Sequence, residues 1–300
     1  MSRKIFLALF LLITLLTSKS LAEDAPPKFP AQTITSELEM EVFAGENGVL
    51  PGVGETPGTI KIPQCERRVF YLKGLNEKNV EAYKKEVRRL QIRSVIIQTI
   101  TNAQLRTYAS AGLFTNLTSL DLHECSELKD ITPLAKLQKL TSLSLCYCTS
   151  LKDITTLAAL PKLTRLNLGG CKEIEEIQPL AWLPNLEHLG LSGCKKISSF
   201  YPISAHKKLA TLSLTIPNND LSFLRNLPQL EGLYFAECPK LDNLTVLTRF
   251  KKLKWVEFWN CKLVTDAMTD GLKKKLPKGC KVRASAPRTL PSPYYLKEDP

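Results

Sequence analysis

The chain has 300 residues, with 41 lysine and arginine residues against 29 aspartate and glutamate residues, which gives a net charge of +12. No nucleic-acid-binding motif accompanies this basic balance, so the sequence argues against a nucleic-acid partner. A C-x-x-C pair is a common sign of a zinc site, and the nine cysteines of this sequence contain none. We therefore predict no metal and no cofactor.

Residues 1–22 have the pattern of a secretory signal peptide. Arg3 and Lys4 form a basic start, residues 5–16 are almost wholly apolar, and residues 20–22 (Ser-Leu-Ala) form a small-x-small cleavage site. This apolar run is too short for a membrane helix, which needs about 20 residues. We therefore predict no transmembrane segment and an exported chain, which is periplasmic, cell-surface or secreted after cleavage.

Two different stretches follow the predicted signal. Residues 23–65 contain a Pro-Pro pair and two Pro-Gly pairs but no sustained hydrophobic period, which predicts a flexible arm or linker. Within residues 66–91, residues 69–72 favour a strand, and residues 77–90 place apolar side chains on one helical face. This second stretch predicts an N-terminal cap with Asn76 as the helix N-cap, since a repeat array needs a cover for its first open face.

From residue 117 onward the sequence repeats itself with a period of 23 residues, and a degenerate first repeat begins 25 residues earlier, at residue 92. We call each repeat a line. Each line begins with an alternating L-x-L segment, which predicts a short strand. It then carries apolar residues at every third position, which favours 3₁₀ turns on the opposite side. The line from residue 209 is two residues short and has Pro217 where the others have cysteine, which predicts an irregularity. Lines with the spacing L-x-x-L-x-L-x-x-C start at 117, 140, 163 and 186, and degenerate lines start at 92, 209, 230 and 253.

This spacing resembles the leucine-rich repeat family, in particular its cysteine-containing members and bacterial internalin-like secreted repeat proteins. Residues 131–135 (Ile-Thr-Pro-Leu-Ala) and 177–181 (Ile-Gln-Pro-Leu-Ala) are similar to the internalin convex side. The resemblance implies an α/β solenoid, a leucine-rich repeat horseshoe with a parallel concave sheet, about eight repeats and a binding role. We predict one continuous solenoid with a C-terminal cap over residues 92–283, followed by a flexible tail at 284–300.

Most of the cysteines share one inward position of the repeat. Parallel side chains in register suit disulfide torsions poorly, so we predict that these thiols are buried and reduced. Cys65 and Cys280 belong to opposite caps, and we predict that they do not pair with each other. The six inward cysteines are Cys125, Cys148, Cys171, Cys194, Cys238 and Cys261.

Cys146 and His123 hold the same outward position in neighbouring lines, and the carboxylates of Asp121 and Glu124 are nearby. A cysteine, a histidine and a carboxylate could form a nucleophile or metal site, and the alternative is a set of solvated polar side chains on the sheet. No pocket or oxyanion donor is evident, so we predict no catalytic residue. His188 and His206 are interpreted as surface residues.

The strand alternation places large aromatic and polar side chains outward in the last two lines. In the line from 253, Val256 and Phe258 point inward, so their neighbours point outward. Exposed aromatic residues are enriched at binding hot spots, which makes this a predicted ligand-binding surface unless a cap or the arm covers the rings. The predicted surface consists of Tyr234, Glu237, Trp255, Glu257, Trp259 and Asn260.

The predicted function is an exported, non-enzymatic leucine-rich repeat binding module that contacts a protein or a glycan through its concave face. The excess of lysine and arginine over residues 250–283 also allows an anionic partner. Two alternatives stay open, a basic envelope-associated structural protein and a thiol enzyme using Cys146 and His123. The oligomeric state is not predicted.

Overall fold

The computed structural model describes residues 31–45, 52–55, 57–62 and 67–285. The predicted signal peptide, Cys65 and most of the predicted tail lie outside the described residues. The described residues form two compact units, the first comprising residues up to 97 and 103–121, the second 98–102 and 122–285. The boundary between the units falls inside residues 92–283, which were predicted to form one solenoid. The continuity of that solenoid therefore stays a prediction.

The first unit contains seven strands and most of two helices. Strand β1 pairs antiparallel with β4, β2 pairs antiparallel with β3 and β5, and β5, β6 and β7 are parallel neighbours. The strands are β1 (Gln32–Ser36), β2 (Met40–Gly45), β3 (Gly52–Glu55), β4 (Gly58–Ile62), β5 (Arg67–Leu72), β6 (Ser94–Ile96) and β7 (Ser119–Asp121). The helices are α1 (Val80–Arg89) and α2 (Asn102–Ser110).

Strands β1 to β4 correct the prediction of a flexible arm over residues 23–65. Met40 and Val42 are fully buried, and β2 pairs along its whole length with β5 of the predicted cap. The Tyr83 hydroxyl of α1 donates a hydrogen bond to the main-chain carbonyl of Glu39 at 2.9 Å. Pairing between segments distant in sequence, rather than a local hydrophobic period, therefore orders this stretch.

The predicted cap helix is present, but it begins later than the sequence indicated. Asn79, not Asn76, is the residue before the first turn, and its side chain makes no capping hydrogen bond to the helix. Val80, Tyr83 and Val87 form the buried face of α1. The periodicity therefore identified the apolar face correctly and misplaced the start by one turn.

The second unit is built on seven parallel strands in register. Equivalent leucines face one another, as Leu143 faces Leu166 and Leu189 faces Leu212, and cross-repeat partners are 23 residues apart. The strands are β8 (Ser142–Ser144), β9 (Arg165–Asn167), β10 (His188–Leu191), β11 (Thr211–Leu214), β12 (Gly232–Ala236), β13 (Trp255–Trp259) and β14 (Lys281–Ser285). We call the outward side of these strands the sheet face.

Short 3₁₀ helices return the chain between successive strands, as the apolar triplet spacing predicts. Each buries one apolar residue at its centre, such as Leu134, Leu157 or Leu180. We call the side that carries them the 3₁₀ face. The helices are Thr132–Lys136, Thr155–Ala159, Gln178–Trp182, Tyr201–Ala205, Ser222–Asn226 and Thr245–Arg249.

The core of the second unit is a set of stacked leucines beside a column of free thiols. All six predicted inward cysteines are buried and unpaired with one another in disulfides. The Cys171 thiol donates to the main-chain carbonyl of Leu145 in the preceding repeat at 3.1 Å, and Cys194 donates equivalently to Leu168. These two thiols therefore satisfy a carbonyl of the repeat before them while filling a small apolar space.

The repeat that starts at residue 209 is irregular, as predicted. Cross-repeat partners are 21 residues apart here, as in the hydrogen bond from the Thr215 hydroxyl to the carbonyl of Ala236. With Pro217 in place of a cysteine, the main-chain amide of Ile216 donates to the Cys238 sulfur at 3.3 Å. The column of thiols is therefore interrupted once, while the sheet continues through the same repeat.

The C-terminal end folds as the sequence indicates. Thr265 is the N-cap of helix α3 (Asp266–Lys273), and its hydroxyl accepts a hydrogen bond from the amide of Met268. Leu272 and Leu276 are buried, and β14 pairs parallel with β13. Among the described residues, no helix has both the length and the apolar character needed to cross a membrane.

Candidate functional site

The predicted ligand-binding surface lies on β12, β13 and the turns that follow them. On β13, Val256 and Phe258 are buried, whereas Trp255, Glu257 and Trp259 alternate with them and are half-buried. The alternation therefore places these three side chains on the sheet face as predicted.

Trp255 lies flat against the neighbouring strand. Its indole ring contacts Gly232 of β12 so closely that a Cβ atom at Gly232 would overlap the ring. Gly232 and Trp255 are direct partners in the parallel register. The absence of a side chain at Gly232 therefore lets the indole ring lie over the backbone of β12, and Trp255 as a whole remains half-buried.

Tyr234 corrects the prediction of an exposed aromatic residue. It points to the sheet face, but only 3% of the residue is accessible. Burial is the main cause that raises its pKa, and the nearby carboxylates of Glu257 and Glu237 add to the effect. The Tyr234 ring is therefore covered by neighbouring residues and is not available for a large contact with a ligand.

Trp259 has an unsatisfied donor. Its Nε1 is buried and has no hydrogen-bond acceptor among the described residues, although the residue as a whole is half-buried. A buried donor without an acceptor is unfavourable by about 1–3 kcal/mol. A ligand oxygen that accepts from Nε1 would remove that penalty, and the indole ring would have to turn to bring the buried Nε1 to the surface.

Glu237 and Asn260 follow the two strands in left-handed conformations, with φ of 51° and 50°. Their main-chain amides continue the ladder, since Glu237 donates to the carbonyl of Trp259 and Asn260 donates to that of Ser285. The Glu237 carboxylate lies 2.6 Å from the ammonium of Lys195. These residues therefore border the surface, and Glu237 already has a cationic partner.

The centre of the sheet face is lined by small residues, and parts of it are covered by neighbouring side chains. The Tyr147 ring lies over Gly170, where a Cβ atom would come within 2.5 Å of it. The hydroxyls of Ser144 and Ser192 are buried without a hydrogen-bond partner in the described part of the chain.

The Cys146 and His123 constellation does not have the geometry of a nucleophile site. Both residues are 1% accessible, which contradicts the expectation that they point into solvent. The Cys146 thiol donates to the carbonyl of Gly169 at 2.9 Å, and His123 Nε2 contacts the Gln98 amide. Among the described residues, no group of three or more histidine, cysteine or acidic side chains is arranged to hold a metal ion.

His188 and His206 are also buried, contrary to their interpretation as surface residues. His188 Nδ1 lies 2.7 Å from the Thr211 hydroxyl of the next repeat. His206 occupies the position that leucine holds at 137, 160 and 183. Sequence periodicity could have located His206 in the core, because its place in the 23-residue line is an inward one.

The most exposed aromatic residues lie on the opposite side of the unit and were not selected from the sequence. Trp182 is 69% accessible and Tyr201 is 74% accessible, and both belong to 3₁₀ helices. Their positions hold small or polar residues one repeat earlier, namely Ala159 and Gln178. That contrast between repeats is the signal that could have identified them.

Comparisons with known proteins agree with this architecture. Residues 83–220 match the sequence family described as plant disease resistance protein RPS2-like, leucine-rich repeats. No curated protein sequence matches the chain. The fold defines the chain as a solenoid of short parallel strands and 3₁₀ turns. The matched part of the chain, residues 83–220, therefore consists of leucine-rich repeats.

Among solved structures, an internalin (InlF) of Listeria monocytogenes is similar with a TM-score of 0.51 and 22% identity, over 69% of this chain. The match spans 58% of that internalin chain. Internalin C2 of the same organism has 24% identity and a TM-score of 0.47, covering 62% of this chain and 84% of its own. A leucine-rich repeat protein of Leptospira interrogans has 20% identity and a TM-score of 0.47, covering 64% and 53%. The InlF likeness supports the fold alone.

Proposed function

We propose that this chain is an exported, non-enzymatic binding module that contacts a protein partner through the sheet face of β12 and β13. Leucine-rich repeat proteins commonly mediate protein–protein interaction. The observation that carries the choice of face is the pair of half-buried tryptophans, Trp255 and Trp259, together with the buried and unsatisfied Nε1 of Trp259. Export is inferred from the signal-peptide pattern of residues 1–22.

The tryptophan pair suits a partner that offers both an apolar contact and a hydrogen-bond acceptor. A main-chain or side-chain oxygen of a protein could accept from Trp259 Nε1 while an apolar group covers the outward face of Trp255. Glu257 stands between the two rings on β13 and favours a polar or cationic group beside them. A glycan is the second ligand class, because its rings stack on aromatic faces and its hydroxyls accept from indole donors.

The alternative role as a basic envelope-associated structural protein depends on β14. Lys281 and Arg283 are exposed there, next to Trp255 and Glu257 in the register. A partner held mainly by these charges would be released by salt, because interactions between exposed charges are screened over about 8 Å at physiological ionic strength. A partner held by the tryptophans would be much less sensitive to salt.

The test begins with a photo-reactive amino acid at position 257, which captures and identifies the partner from an envelope or host extract. The purified partner is then titrated against Trp255→Ala and Trp259→Phe, the second of which removes the Nε1 donor and keeps an aromatic ring. We expect each variant to weaken binding by about 1–3 kcal/mol. Tyr201→Ala, at an exposed aromatic residue of the 3₁₀ face, is the matched control and should bind like the parent.

The proposal fails if both variants keep the parental affinity while circular dichroism shows that they are folded. Thiol labelling addresses the enzyme alternative in the same samples. A fast-reacting Cys146 in the folded protein would revive that alternative, whereas a thiol that is 1% accessible should react only after unfolding.

A further inference from the structure

A groove of ≈ 570 Å³ lies on the 3₁₀ face between the helices Thr155–Ala159 and Gln178–Trp182. Its floor is mainly apolar and includes Ile154, Ala158 and Pro179. Trp182 forms one wall and remains 69% accessible. An exposed tryptophan beside an apolar depression is a typical anchor point for a protein contact.

Trp182 is not required by the repeat. It is the last residue of its 3₁₀ helix, and alanine occupies the same place one repeat earlier, at Ala159, and one repeat later, at Ala205. The inward position next to it is filled by Leu183, which is fully buried. The core therefore gains nothing from a large side chain at position 182, so its presence calls for a contact outside the core.

The rim of the groove is acidic on a molecule that is basic as a whole. Asp153, Glu175 and Glu176 line it together with a single cation, Lys152. The Lys152 ammonium is already 3.0 Å from the Glu175 carboxylate. The Glu176 carboxylate is exposed and has no ion-pair partner among the described residues.

One carboxylate of this rim is also held in place by its own helix. The Asp153 Oδ1 accepts the main-chain amide of Thr155 at 2.8 Å, which fixes the side chain and leaves its second oxygen available. The chain carries a net charge of +12, so an acidic groove runs against its general composition. At physiological salt, charges beyond about 8 Å are largely screened, and the local carboxylates dominate what approaches the groove.

We propose that this groove is a second docking site, which takes a lysine- or arginine-containing segment of a partner protein. The cation stacks on the indole face of Trp182, its counter-charges are Asp153 and Glu176, and its aliphatic stem lies on the apolar floor. The site is separate from the tryptophan pair of the sheet face, and its test does not depend on that proposal.

The same place three repeats later supplies an internal comparison. A groove of ≈ 430 Å³ lies between the helices Ser222–Asn226 and Thr245–Arg249, but it has no aromatic wall. Arg225 and Arg249 line it, with Asp220 as its one acidic side chain. Equivalent repeat geometry therefore carries opposite charge at the two places, and only the first combines carboxylates with an exposed indole ring.

The experiment uses a capped hexapeptide of alternating arginine and alanine, titrated into the full chain by calorimetry and tryptophan fluorescence. A matched peptide with citrulline in place of arginine keeps the shape and removes the charge. We expect the arginine peptide to bind and the citrulline peptide to bind at least about tenfold more weakly. Trp182→Ala and the double variant Asp153→Asn, Glu176→Gln should each weaken the arginine peptide by about tenfold.

Asparagine at 153 keeps the oxygen that accepts from Thr155, so the double variant tests charge without removing the turn. Arg249→Ala, in the comparison groove, should leave binding unchanged. The proposal is overturned if the two peptides bind equally, or if the Trp182 and carboxylate variants bind the arginine peptide like the parent. Sedimentation that shows a dimer lost in Trp182→Ala would also overturn it, because the occupant would then be a second copy of the chain.

Discussion

At the scale of single residues, two buried histidines couple the second unit to pH. Burial and the neighbouring Arg165 guanidinium lower the pKa of His188 to about 3. Burial also lowers the pKa of His206, opposed by the nearby Leu183 carbonyl, and both of its ring nitrogens lack a hydrogen bond in the described structure. Both side chains are therefore neutral in the folded state at neutral pH.

Acid should destabilise the fold through these two residues. Their folded pKa values lie below the usual value of 6.5, so the unfolded chain binds more protons than the folded one below that pH. The stability is complete above about pH 6.5 and is lost as the pH falls toward 3. We predict that the urea midpoint drops between pH 7 and pH 4, and that His206→Leu reduces the drop.

His188→Gln serves as the companion variant, because it removes the ionisable ring and can still reach the Thr211 hydroxyl. Each single variant should flatten part of the pH profile, and the double variant should flatten more. A parental profile that is level from pH 7 to pH 4, measured by circular dichroism, would contradict the assignment. The carboxylates contribute their own acid sensitivity, which the double variant retains as a baseline.

The candidate site shows how far periodicity determines the environment of a residue. Alternation correctly assigned Trp255 and Trp259 to the sheet face, because side-chain direction is a local property of a strand. It could not show that Tyr234 is buried, because that depends on groups contributed by neighbouring repeats. The direction of a side chain is therefore predictable from the sequence of its own repeat. Its accessibility also depends on the repeats on either side.

At the scale of elements, the glycine of β12 determines how Trp255 lies. We predict that Gly232→Ala displaces the indole ring, because the new Cβ atom would overlap it. Overpacking of this kind destabilises by about 1–3 kcal/mol. The expected signs are a lower urea midpoint and a red-shifted tryptophan emission, since the displaced ring becomes more exposed.

Gly271→Ala in α3 is the matched control. No atom lies within 4 Å of a Cβ built there, and alanine is favoured over glycine inside a helix by about 0.5–1 kcal/mol. The two substitutions add the same methyl group and should change stability in opposite directions. Equal effects would mean that Trp255 does not depend on the space above Gly232.

The elements that the sequence identified are those with strong local signals. Strands β8 to β13 and their 3₁₀ returns follow from the 23-residue spacing, and α3 follows from Thr265 and its apolar face. Strands β1 to β4 have no such signal, because their order comes from antiparallel pairing with partners distant in sequence. The strand β3 contains two glycines, which on local grounds indicate a turn.

At the scale of the whole molecule, the thiols report on global unfolding. Seven described cysteines are buried and one, Cys280, is half-buried. Burial raises the pKa of Cys194 to about 12 and that of Cys171 well above its usual value, so the reactive thiolate is scarce as well as covered. We predict that a thiol reagent labels the seven only in denaturant, while Cys280 reacts in the native protein.

Mass spectrometry of the labelled peptides tests this residue by residue. Cys280→Ser is the control and should remove the native-state label within the described part of the chain. Labelling of Cys171 or Cys194 without denaturant, or disulfides between cysteines of adjacent repeats, would contradict the prediction. The rate at which the seven labels enter in mild denaturant would then measure how often the second unit opens.

The offset of 23 residues that most paired strands of the second unit share has an evolutionary consequence. Each repeat contacts its neighbours through the same positions. Duplication of the coding segment for one repeat would therefore add a strand whose leucines and thiols pack against the equivalent residues of the adjacent repeats. An insertion of most other lengths would shift the register. The array can therefore grow or shrink by whole repeats.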